Sequence, residues 1–337
     1  MRTPLRVVSY NMRVDHTADA GTVHRWDLRR PLAASSLLGL QADVIGLQEP
    51  SPTQAADLAA DLGPFDWCVR VLACDPAAWS AAGESGPDAQ ARDGNGFVWR
   101  SARLRLLHMG SFELPSLSPF KRTCALARFV DRRGGQTISV LSAHLDHVGG
   151  DEVGQLSEAR RESASLVMAR ARAEVASGAD AVFVTGDFNT FLDREGETYQ
   201  ALLAAGRGEF TDVRDAVPVG FEIDCGRADS SWEGWPDNAF ARSKKGDQRY
   251  DQLLVSIGVR VLRTSVHEDK YPGVAGEGPA HLYASDHLPI VADCVLSASA
   301  GWKAALGLAR AEPALALAMG AAVLAGVFAG LARTMRA

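Results

Sequence analysis

Short apolar runs in this sequence end on carboxylate, carboxamide or imidazole side chains. One run, "AVFVTGDFN", ends with Asp187 and Asn189, and another, "TISVLSAHLDH", carries His144 near its end. Because successive side chains of a strand point to opposite faces, Asp187 and Asn189 can point the same way. Buried without partners, they would cost several kcal/mol. The pattern therefore predicts one of two roles. Either these side chains make hydrogen bonds to the backbone of a loop, or they lie at an open strand end and bind a ligand.

Other apolar runs begin or end with residues of the same restricted kind. They supply Asn11, Glu49, Asp251, Asp286 and His287. Each residue alone has an ordinary explanation as a turn residue, a helix-start acid or a capping group. Together with His144 and Asp187 they form a set of hard oxygen donors and two histidines. Such a set is typical of a site for Mg²⁺-dependent phosphoryl transfer, so we expect Mg²⁺ or Mn²⁺ as the cofactor.

Zinc is the alternative, because His144 and His147 are separated by two residues. Zinc prefers three or four nitrogen or sulfur ligands. The carboxylate-rich partners favour Mg²⁺ or Mn²⁺ instead.

The elements that would position these residues are short strands with helices between some of them. Strand-length runs lie at 6–11, 43–49, 96–100, 137–147, 181–189, 250–256 and 288–296, and helical patterns lie at 25–40, 155–177 and 195–206. Too few helices separate the strands for purely parallel sheets, so the sheets must be mixed. The pattern predicts two packed sheets with helices outside.

Six motifs occur in order between residues 5 and 296: "SYNMR", "VIGLQE", "SAHLDH", "TGDFNT", "RYDQLLVS" and "SDHLPIV". The series resembles the endonuclease/exonuclease/phosphatase superfamily, which has the fold of deoxyribonuclease I. The "HLDH" and "RWDLRRP" stretches look most like the branch of deadenylase-like and nocturnin-like exonucleases and their bacterial relatives. The resemblance implies an α/β fold, a four-layer αββα sandwich of two mixed β-sheets.

The resemblance also implies a site where the two sheets meet. The implied ligands of the divalent ion are Asn11, Glu49 and Asp286. The implied catalytic residues are His144, Asp187, Asn189, Asp251 and His287.

The resemblance gives each catalytic residue a role. Asp187 orients or deprotonates the attacking water, and Asn189 holds a phosphate oxygen. His287 contacts the scissile phosphate, and Asp251 orients it. His144 stabilises the phosphate or protonates the leaving group. These roles agree with the charge neutralisation and the positioned base that attack on an anionic phosphorus requires.

Two positions depart from the family pattern. Related sequences often carry a glutamate that partners the first histidine, whereas the nearest acid here is Asp93, followed by Gly94. The aromatic residue that usually follows the aspartate of the "RYDQLLVS" motif is replaced here by Gln252.

The motifs leave the substrate open. The leading hypothesis is a phosphodiesterase acting on nucleic acid, a 3′–5′ exonuclease with RNA favoured. The alternatives are a membrane-associated lipid phosphodiesterase resembling neutral sphingomyelinases and a small-molecule phosphomonoesterase. The candidate substrate contacts are Arg13, Arg160, Trp232 and Trp235. The arginines can reach phosphates, and the tryptophans can stack on bases, enter a bilayer interface or pack in the core.

The composition of the chain limits the kinds of binding partner and compartment that we expect. The 337 residues carry a formal net charge of −6 and contain no long basic run, so a broad, salt-driven nucleic-acid surface is not indicated. The five cysteines include no CxxC pair, which favours a reducing compartment over a structural zinc site or a disulfide framework.

The C-terminal tail differs from the rest. Residues 313–332 carry no charge, and 20 helical residues span about 30 Å, the thickness of a hydrocarbon core. We expect a catalytic domain at 1–297, a linker helix at 298–312 and a hydrophobic helix at 313–332 that anchors the enzyme to the cytoplasmic face of a membrane. The Gly326–Gly330 pair can support a homodimer. The alternative is an alanine-rich packed helix on a cytoplasmic protein.

Overall fold

The computed structural model describes residues 4–74, 94–117, 121–147, 153–190, 197–217, 231–232, 234–235, 250–268, 271–272 and 281–296. Asp93, most of residues 218–249 and the whole tail lie outside the described residues. In the part that is described, no helix is long and apolar enough to cross a membrane. The linker helix, the membrane anchor and the Gly326–Gly330 contact therefore stay predictions.

The described residues form fourteen strands and five α-helices. The strands are β1 (Leu5–Asn11), β2 (Val44–Gln48), β3 (Trp67–Ala73), β4 (Gly94–Arg100), β5 (Leu104–Leu114), β6 (Arg122–Asp131), β7 (Thr137–His144), β8 (Ala181–Asp187), β9 (Phe210–Asp212), β10 (Asp251–Ser256), β11 (Val259–Val266), β12 (Tyr271–Pro272), β13 (His281–Leu282) and β14 (Ile290–Leu296). The helices are α1 (Trp26–Gly39), α2 (Pro52–Leu62), α3 (Val153–Ala176), α4 (Glu197–Gly206) and α5 (Val213–Ala216).

Twelve of these strands form two six-stranded sheets. The first has the order β11-β14-β1-β2-β4-β3 and the second the order β5-β6-β7-β8-β10-β9. One pair in each sheet is parallel, β1 with β2 and β7 with β8, and the other pairs are antiparallel. Both sheets are mixed, as expected.

The two sheets pack face to face around an apolar core. Phe97 of β4 meets Phe129 of β6 edge to face, with ring centroids 6.4 Å apart. On the outer face of the first sheet, Leu37 of α1 and Leu58 of α2 pack in one buried cluster with Ile45 of β2. Helix α3 covers the outer face of the second sheet, against β7 and β8. The predicted αββα sandwich is confirmed.

The two sheets are in close contact near the ends of β2 and β8. A side chain at Gly46 of β2 would collide with Thr185 of β8, so only glycine fits there. Beside this contact, the backbone N–H of Gly186 donates to Ser9 Oγ at 3.0 Å. Gln48 Nε2 donates to Ser142 Oγ at 2.8 Å. These two bonds join the sheets where their polar ends begin.

Strand direction brings the polar ends to one edge of the sandwich. The parallel strands β1 and β2 end there, and so do β7 and β8. Because β14 runs antiparallel to β1 and β10 runs antiparallel to β8, each of them starts at that edge. The motifs that close four strands and open two others therefore meet.

Candidate active site

Asp187, the last residue of β8, lies at the centre of the gathered polar residues. The sheet register pairs it with His144 of β7 on one side and with Asp251 of β10 on the other. Its Oδ2 lies 3.7 Å from Nε2 of His144 and 3.7 Å from Nε2 of His287. Asp187 is buried, so its carboxylate acts on neighbours in a medium that screens charge weakly.

Asn11, the last residue of β1, joins the two sheets at this point. Its Nδ2 donates to Glu49 Oε1 and to Asp187 Oδ2, both at 2.9 Å. Its Oδ1 accepts from the backbone N–H of Arg13 at 2.9 Å. In this geometry Asn11 presents its amide nitrogen to both carboxylates, and its role as a metal ligand stays a prediction.

Glu49 follows β2 and lies beside Asp187. Its Oε2 accepts from the backbone N–H of Val14 at 3.0 Å. Burial raises the pKa of Glu49, but the neighbouring His144 and Arg13 lower it by more, so the pKa lies well below its ordinary value. Glu49 is therefore an anion throughout the neutral range, as a ligand for a divalent cation must be.

His287 and Asp251 form a buried pair. Nδ1 of His287 lies 2.8 Å from Asp251 Oδ2. Burial lowers the pKa of His287, but the carboxylates of Asp251 and Asp187 raise it by more, so its net pKa is raised. Burial raises the pKa of Asp251. The pair holds the ring of His287 in one orientation with Nε2 turned toward Asp187.

His144, the last residue of β7, has an arginine as its partner. Nη1 of Arg122 lies 3.0 Å from Nδ1 of His144. The same guanidinium bonds through Nε to Asp146 Oδ1 at 3.2 Å. Arg122 therefore contacts the His144 ring and Asp146 at the same time.

Three residues at the site have a left-handed backbone. The φ angles are 54° at Arg13, 70° at Glu49 and 49° at Asn189. Such conformations cost non-glycine residues about 1–3 kcal/mol each and recur at functional sites. At Asn189 the turn lets the backbone N–H donate to Asp187 Oδ1 at 2.9 Å, while Nδ2 donates to the carbonyl of Leu145.

Arg13 brings a positive charge between two acidic residues. Its Nη1 lies 3.9 Å from Asp286 Oδ2. Burial lowers the pKa of Arg13, but Asp286, Glu49 and Asp19 raise it by more, so the guanidinium stays charged. Asp286 is held in turn by Ser285, whose hydroxyl lies 3.5 Å from Asp286 Oδ1.

An aromatic pair forms another wall of the cleft. The rings of Trp232 and Tyr250 have centroids 5.6 Å apart, and Tyr250 lies 6.4 Å from the ring of His287. Burial and the charge of Asp187 raise the pKa of Tyr250, so its phenol stays neutral.

Two of the four expected substrate contacts lie elsewhere. Trp235 is 6% exposed and stacks on His24 at 4.1 Å. Arg160 is 4% exposed, and its guanidinium lies 3.4 Å from both Thr198 Oγ1 and the carbonyl oxygen of Asp146. Neither residue lines the cleft, whereas Arg13 and Trp232 do.

The residues that line the cleft are Arg13, Glu49, Arg122, His144, His147, Asp187, Asn189, Trp232, Tyr250, Asp286 and His287. Asn11 and Asp251 support this set from below, because both are fully buried. Of the other lining residues, Arg122 and Tyr250 were not among the sequence candidates, and His147 was named only for the zinc alternative. His147 and Tyr250 lie inside the motifs "SAHLDH" and "RYDQLLVS", so the motifs were a usable signal for both. Arg122 follows no motif, and only the pairing of β6 with β7 brings it here.

The donor set fits a hard divalent cation. Ligand atoms of Glu49, His144 and Asp187 lie within 4.8 Å of one another, and so do those of Asp187, Asp251 and His287. Asp286 lines the same cleft, and His147 belongs to neither group. Carboxylate oxygens outnumber nitrogens, which favours Mg²⁺ or Mn²⁺ over zinc. Glu49 and Asp286 would hold the ion.

Solved structures with this architecture include a mannosyl-6-phosphatase from Bacteroides thetaiotaomicron. It is 22% identical with a TM-score of 0.69, over 87% of this chain and 100% of that one. The catalytic domain of human nocturnin with bound sulfate is 17% identical with a TM-score of 0.60, over 88% and 94%. D. rerio TDP2 with a single-strand DNA product is 15% identical with a TM-score of 0.61, over 87% and 100%. At these identities the likeness shows the fold.

No curated protein in the comparison matches the chain. A model of the endonuclease/exonuclease/phosphatase family matches residues 8–287, which run from β1 to the histidine paired with Asp251. That span contains every residue that lines the cleft, and family membership explains both the fold and the resemblance of the six motifs. The chain belongs to the endonuclease/exonuclease/phosphatase family.

Proposed function

We propose that this protein is a divalent-metal-dependent hydrolase of phosphodiester bonds that acts on nucleic acid. The observation that carries the proposal is the convergence on Asp187. One buried carboxylate faces two imidazoles at 3.7 Å and shares an amide donor with Glu49. This arrangement supplies a base beside positive hydrogen-bond donors, as water attack on a phosphate ester requires.

Each residue of the site has its own role in the proposed reaction. Asp187 orients the attacking water and accepts its proton. His287, held cationic by Asp251, donates from Nε2 to the phosphate. Asn189 holds a phosphate oxygen, and Arg13 adds charge at the rim. A bound Mg²⁺ or Mn²⁺ supplies charge neutralisation of the phosphate when it is held by Glu49 and Asp286.

Two features support a nucleic-acid substrate, with 3′–5′ cleavage of RNA as the leading case. The paired rings of Trp232 and Tyr250 line the cleft, and an exposed aromatic face stacks on any base. Nocturnin and the DNA-bound TDP2 share the fold. The acidic net charge fits a substrate held at a local cleft rather than along a broad surface.

The second candidate is hydrolysis of a sugar phosphomonoester. It is favoured by the likeness to a mannosyl-6-phosphatase and by two arginines, Arg13 and Arg122, in one cleft. A terminal phosphate carries one more negative charge than a diester, and guanidinium groups bind it well. The third candidate is a lipid phosphodiesterase, and its support depends on the prediction that residues 313–332 anchor the protein to a membrane.

A parallel assay with Mg²⁺ separates the three. The substrates are 3′-labelled and 5′-labelled RNA, single-stranded DNA, mannose 6-phosphate and sphingomyelin vesicles. The proposal predicts that RNA is cleaved fastest and loses its label from the 3′ end one nucleotide at a time. His287→Ala should abolish the activity, while His108→Ala, on an exposed position of β5, should not. Faster turnover of mannose 6-phosphate would favour the second candidate and sink the first.

A further inference from the structure

Arg29 of helix α1 is a charged side chain inside the protein, with only 1% of its surface exposed. A buried arginine is usually paired with a carboxylate, because an isolated buried charge is costly. Here backbone carbonyl oxygens take all five N–H donors of the guanidinium, at 2.6–3.3 Å, so no donor is left for a carboxylate. The five oxygens belong to Met12, Arg13, Val14, His24 and Ala284.

Three of the five carbonyls belong to the successive residues 12–14, which follow β1. The middle residue, Arg13, has a φ of 54°, an uncommon conformation for a residue other than glycine. In this conformation the three carbonyls face Arg29, while the backbone N–H of Val14 donates to Glu49 Oε2 at 3.0 Å. Arg29 therefore holds the stretch of backbone that fixes the carboxylate of Glu49.

The carbonyl of Ala284 belongs to a second segment, which leads to Asp286. Nη1 of Arg29 bonds to the Met12 oxygen at 3.0 Å and to the Ala284 oxygen at 2.9 Å. One nitrogen thus joins the segment behind Glu49 to the segment that carries Asp286.

Two indole rings flank the guanidinium of Arg29. Its Cζ lies 5.4 Å from the ring centroid of Trp26 and 5.5 Å from that of Trp235, distances at which a cation is attracted to a ring face. Next to Trp235, the backbone N–H of Gly234 donates to the carbonyl of Asp286 at 3.1 Å. The rings confine the guanidinium, and a third segment that contacts Asp286 packs against it.

We propose that Arg29 is a positioning residue for the cation site. It holds residues 12–14 and 284–286 so that Glu49 and Asp286 present their carboxylates to one divalent ion. Arg29 does not line the cleft, so it acts only through these segments. The inference rests on the cation site of the proposed function, but its main effect is on metal affinity, which is measured without a substrate.

The first test examines the contacts of Arg29 in metal-free wild-type protein. The chain is labelled with ¹⁵N in its arginines, and the signals of Arg29 are assigned by their through-space contacts to the rings of Trp26 and Trp235. The inference predicts separate, slowly exchanging signals for the five N–H hydrogens before any ion binds. Averaged, freely exchanging signals overturn it, and this measurement needs no variant that folds.

The second test replaces the guanidinium at constant charge. In Arg29→Lys, one ammonium with three donors cannot reach five carbonyls. Mn²⁺ binding to the metal-free protein is measured by electron paramagnetic resonance of the free ion. The Kd should rise about tenfold or more, since residues behind metal ligands commonly change affinity by about 10- to 100-fold.

Arg30→Lys is the matched control for this test. Arg30 is the next residue of α1, and it pairs with Asp57 and Asp61 of α2. Its replacement should leave the Kd for Mn²⁺ unchanged. An Arg29→Lys protein that binds Mn²⁺ as tightly as wild type overturns the inference and leaves the proposed function standing. Wild type that binds no Mn²⁺ overturns both.

The third test separates positioning from a merely structural role. Turnover of bis(p-nitrophenyl) phosphate is measured against Mn²⁺ concentration. Arg29→Lys should need about tenfold more Mn²⁺ for half-maximal turnover. It should approach the kcat of wild type at saturation, because the bound ion then ties Glu49 to Asp286 itself. A kcat that falls at every Mn²⁺ concentration, with an unchanged half-saturating concentration, assigns Arg29 a structural role and overturns the inference.

Discussion

Asp187 and His287 form a contact whose strength depends on a third residue, Asp251. Asp251 keeps His287 positively charged, and the charged ring keeps Nε2 available as a donor. Removal of either member should therefore disable the same hydrogen bond to phosphate.

His287→Ala and Asp251→Ala should each lower turnover by a factor of about 10² to 10⁴. The double variant should lose little beyond the larger single loss, because residues that act as a unit have non-additive effects. Steady-state kinetics of the four proteins, each shown folded by circular dichroism, measures the coupling. Losses that multiply would show that Asp251 has an independent role.

The residues that the sequence predicted differ in kind from those it missed. Asp187, Asn189 and His287 stand in motifs, and their carboxylate or imidazole chemistry marked them. No motif pointed to Arg122, because an arginine in a strand such as "RTCALARFVD" is usually a surface residue. Trp235 was expected at the substrate, but its stacking on His24 packs it in the protein.

At the level of elements, the close approach of β2 and β8 sets the distance across the site. Gly46 lies two residues before Gln48, at the point where Thr185 crosses it. A methyl group there would push the sheets apart and separate Glu49 from Asp187.

Gly46→Ala should lower the free energy of unfolding by roughly 1–3 kcal/mol, the usual cost of overpacking a core. It should also lower turnover, because Asn11 can no longer bond both carboxylates. Gly39→Ala is the control, since a Cβ there meets nothing within 4 Å. Chemical denaturation measures the free energy of unfolding of both variants. Equal stability of Gly46→Ala and Gly39→Ala would contradict the close packing at Gly46.

A second element-level contact joins β1, β11 and β14 through Asp293. Arg6 bonds both of its carboxylate oxygens at 2.6 and 3.0 Å, and Arg263 bonds Oδ2. Burial raises the pKa of Asp293, but the bonds from Arg6 and Arg263 lower it by more. A lowered pKa in the folded state stabilises the protein above the unfolded value, and this stabilisation is lost as the pH falls through the folded value.

Asp293→Asn should therefore cost about 2 kcal/mol at neutral pH, the scale of hydrogen bonds to a charged group. The difference from wild type should shrink as the pH falls below about 4, the ordinary pKa of aspartate. Asp27→Asn, in an exposed pair with Arg25, should cost close to nothing at either pH. A pH-independent difference at Asp293 would show that the charge of its carboxylate contributes nothing.

The apolar runs identified most of the strands that carry site residues, but they did not identify every strand of the two sheets. All seven predicted strands and all three predicted helices are present. The edge strand β5 was missed because a bulge between Leu106 and His108 interrupts its alternation. Helix α2 was missed although Ser51 and Gln54 form a capping box at its start, a signal that the sequence does contain.

At the scale of the whole molecule, the order of strands could not be read from the periodicity. Hydrophobic period fixes which face of a strand is buried, but not which strand pairs with it across a long loop. The strand pattern predicted two packed sheets with helices outside, the family resemblance implied the four-layer αββα arrangement, and the sheet register of the structure then placed Arg122 and Tyr250 at the site.

The tail is the remaining whole-molecule prediction. We propose that residues 313–332 anchor the enzyme to a membrane with the catalytic domain in the cytosol, because 20 uncharged residues suffice to span one. Full-length protein should sediment with membranes and resist carbonate, and a variant that lacks 312–337 should stay in the supernatant with unchanged turnover of a short substrate. Full-length protein found in the supernatant would leave that segment as an ordinary helix.

The central claim is that Asp187 and a divalent cation together hydrolyse a phosphate ester. The most direct measurement is turnover of bis(p-nitrophenyl) phosphate by wild type and by Asp187→Asn, with Mg²⁺, with excess EDTA, and after Mg²⁺ is restored. We predict that EDTA abolishes turnover, that Mg²⁺ restores it, and that Asp187→Asn lowers it by a factor of about 10³. Full turnover in EDTA, or an Asp187→Asn variant as active as wild type, would contradict the account.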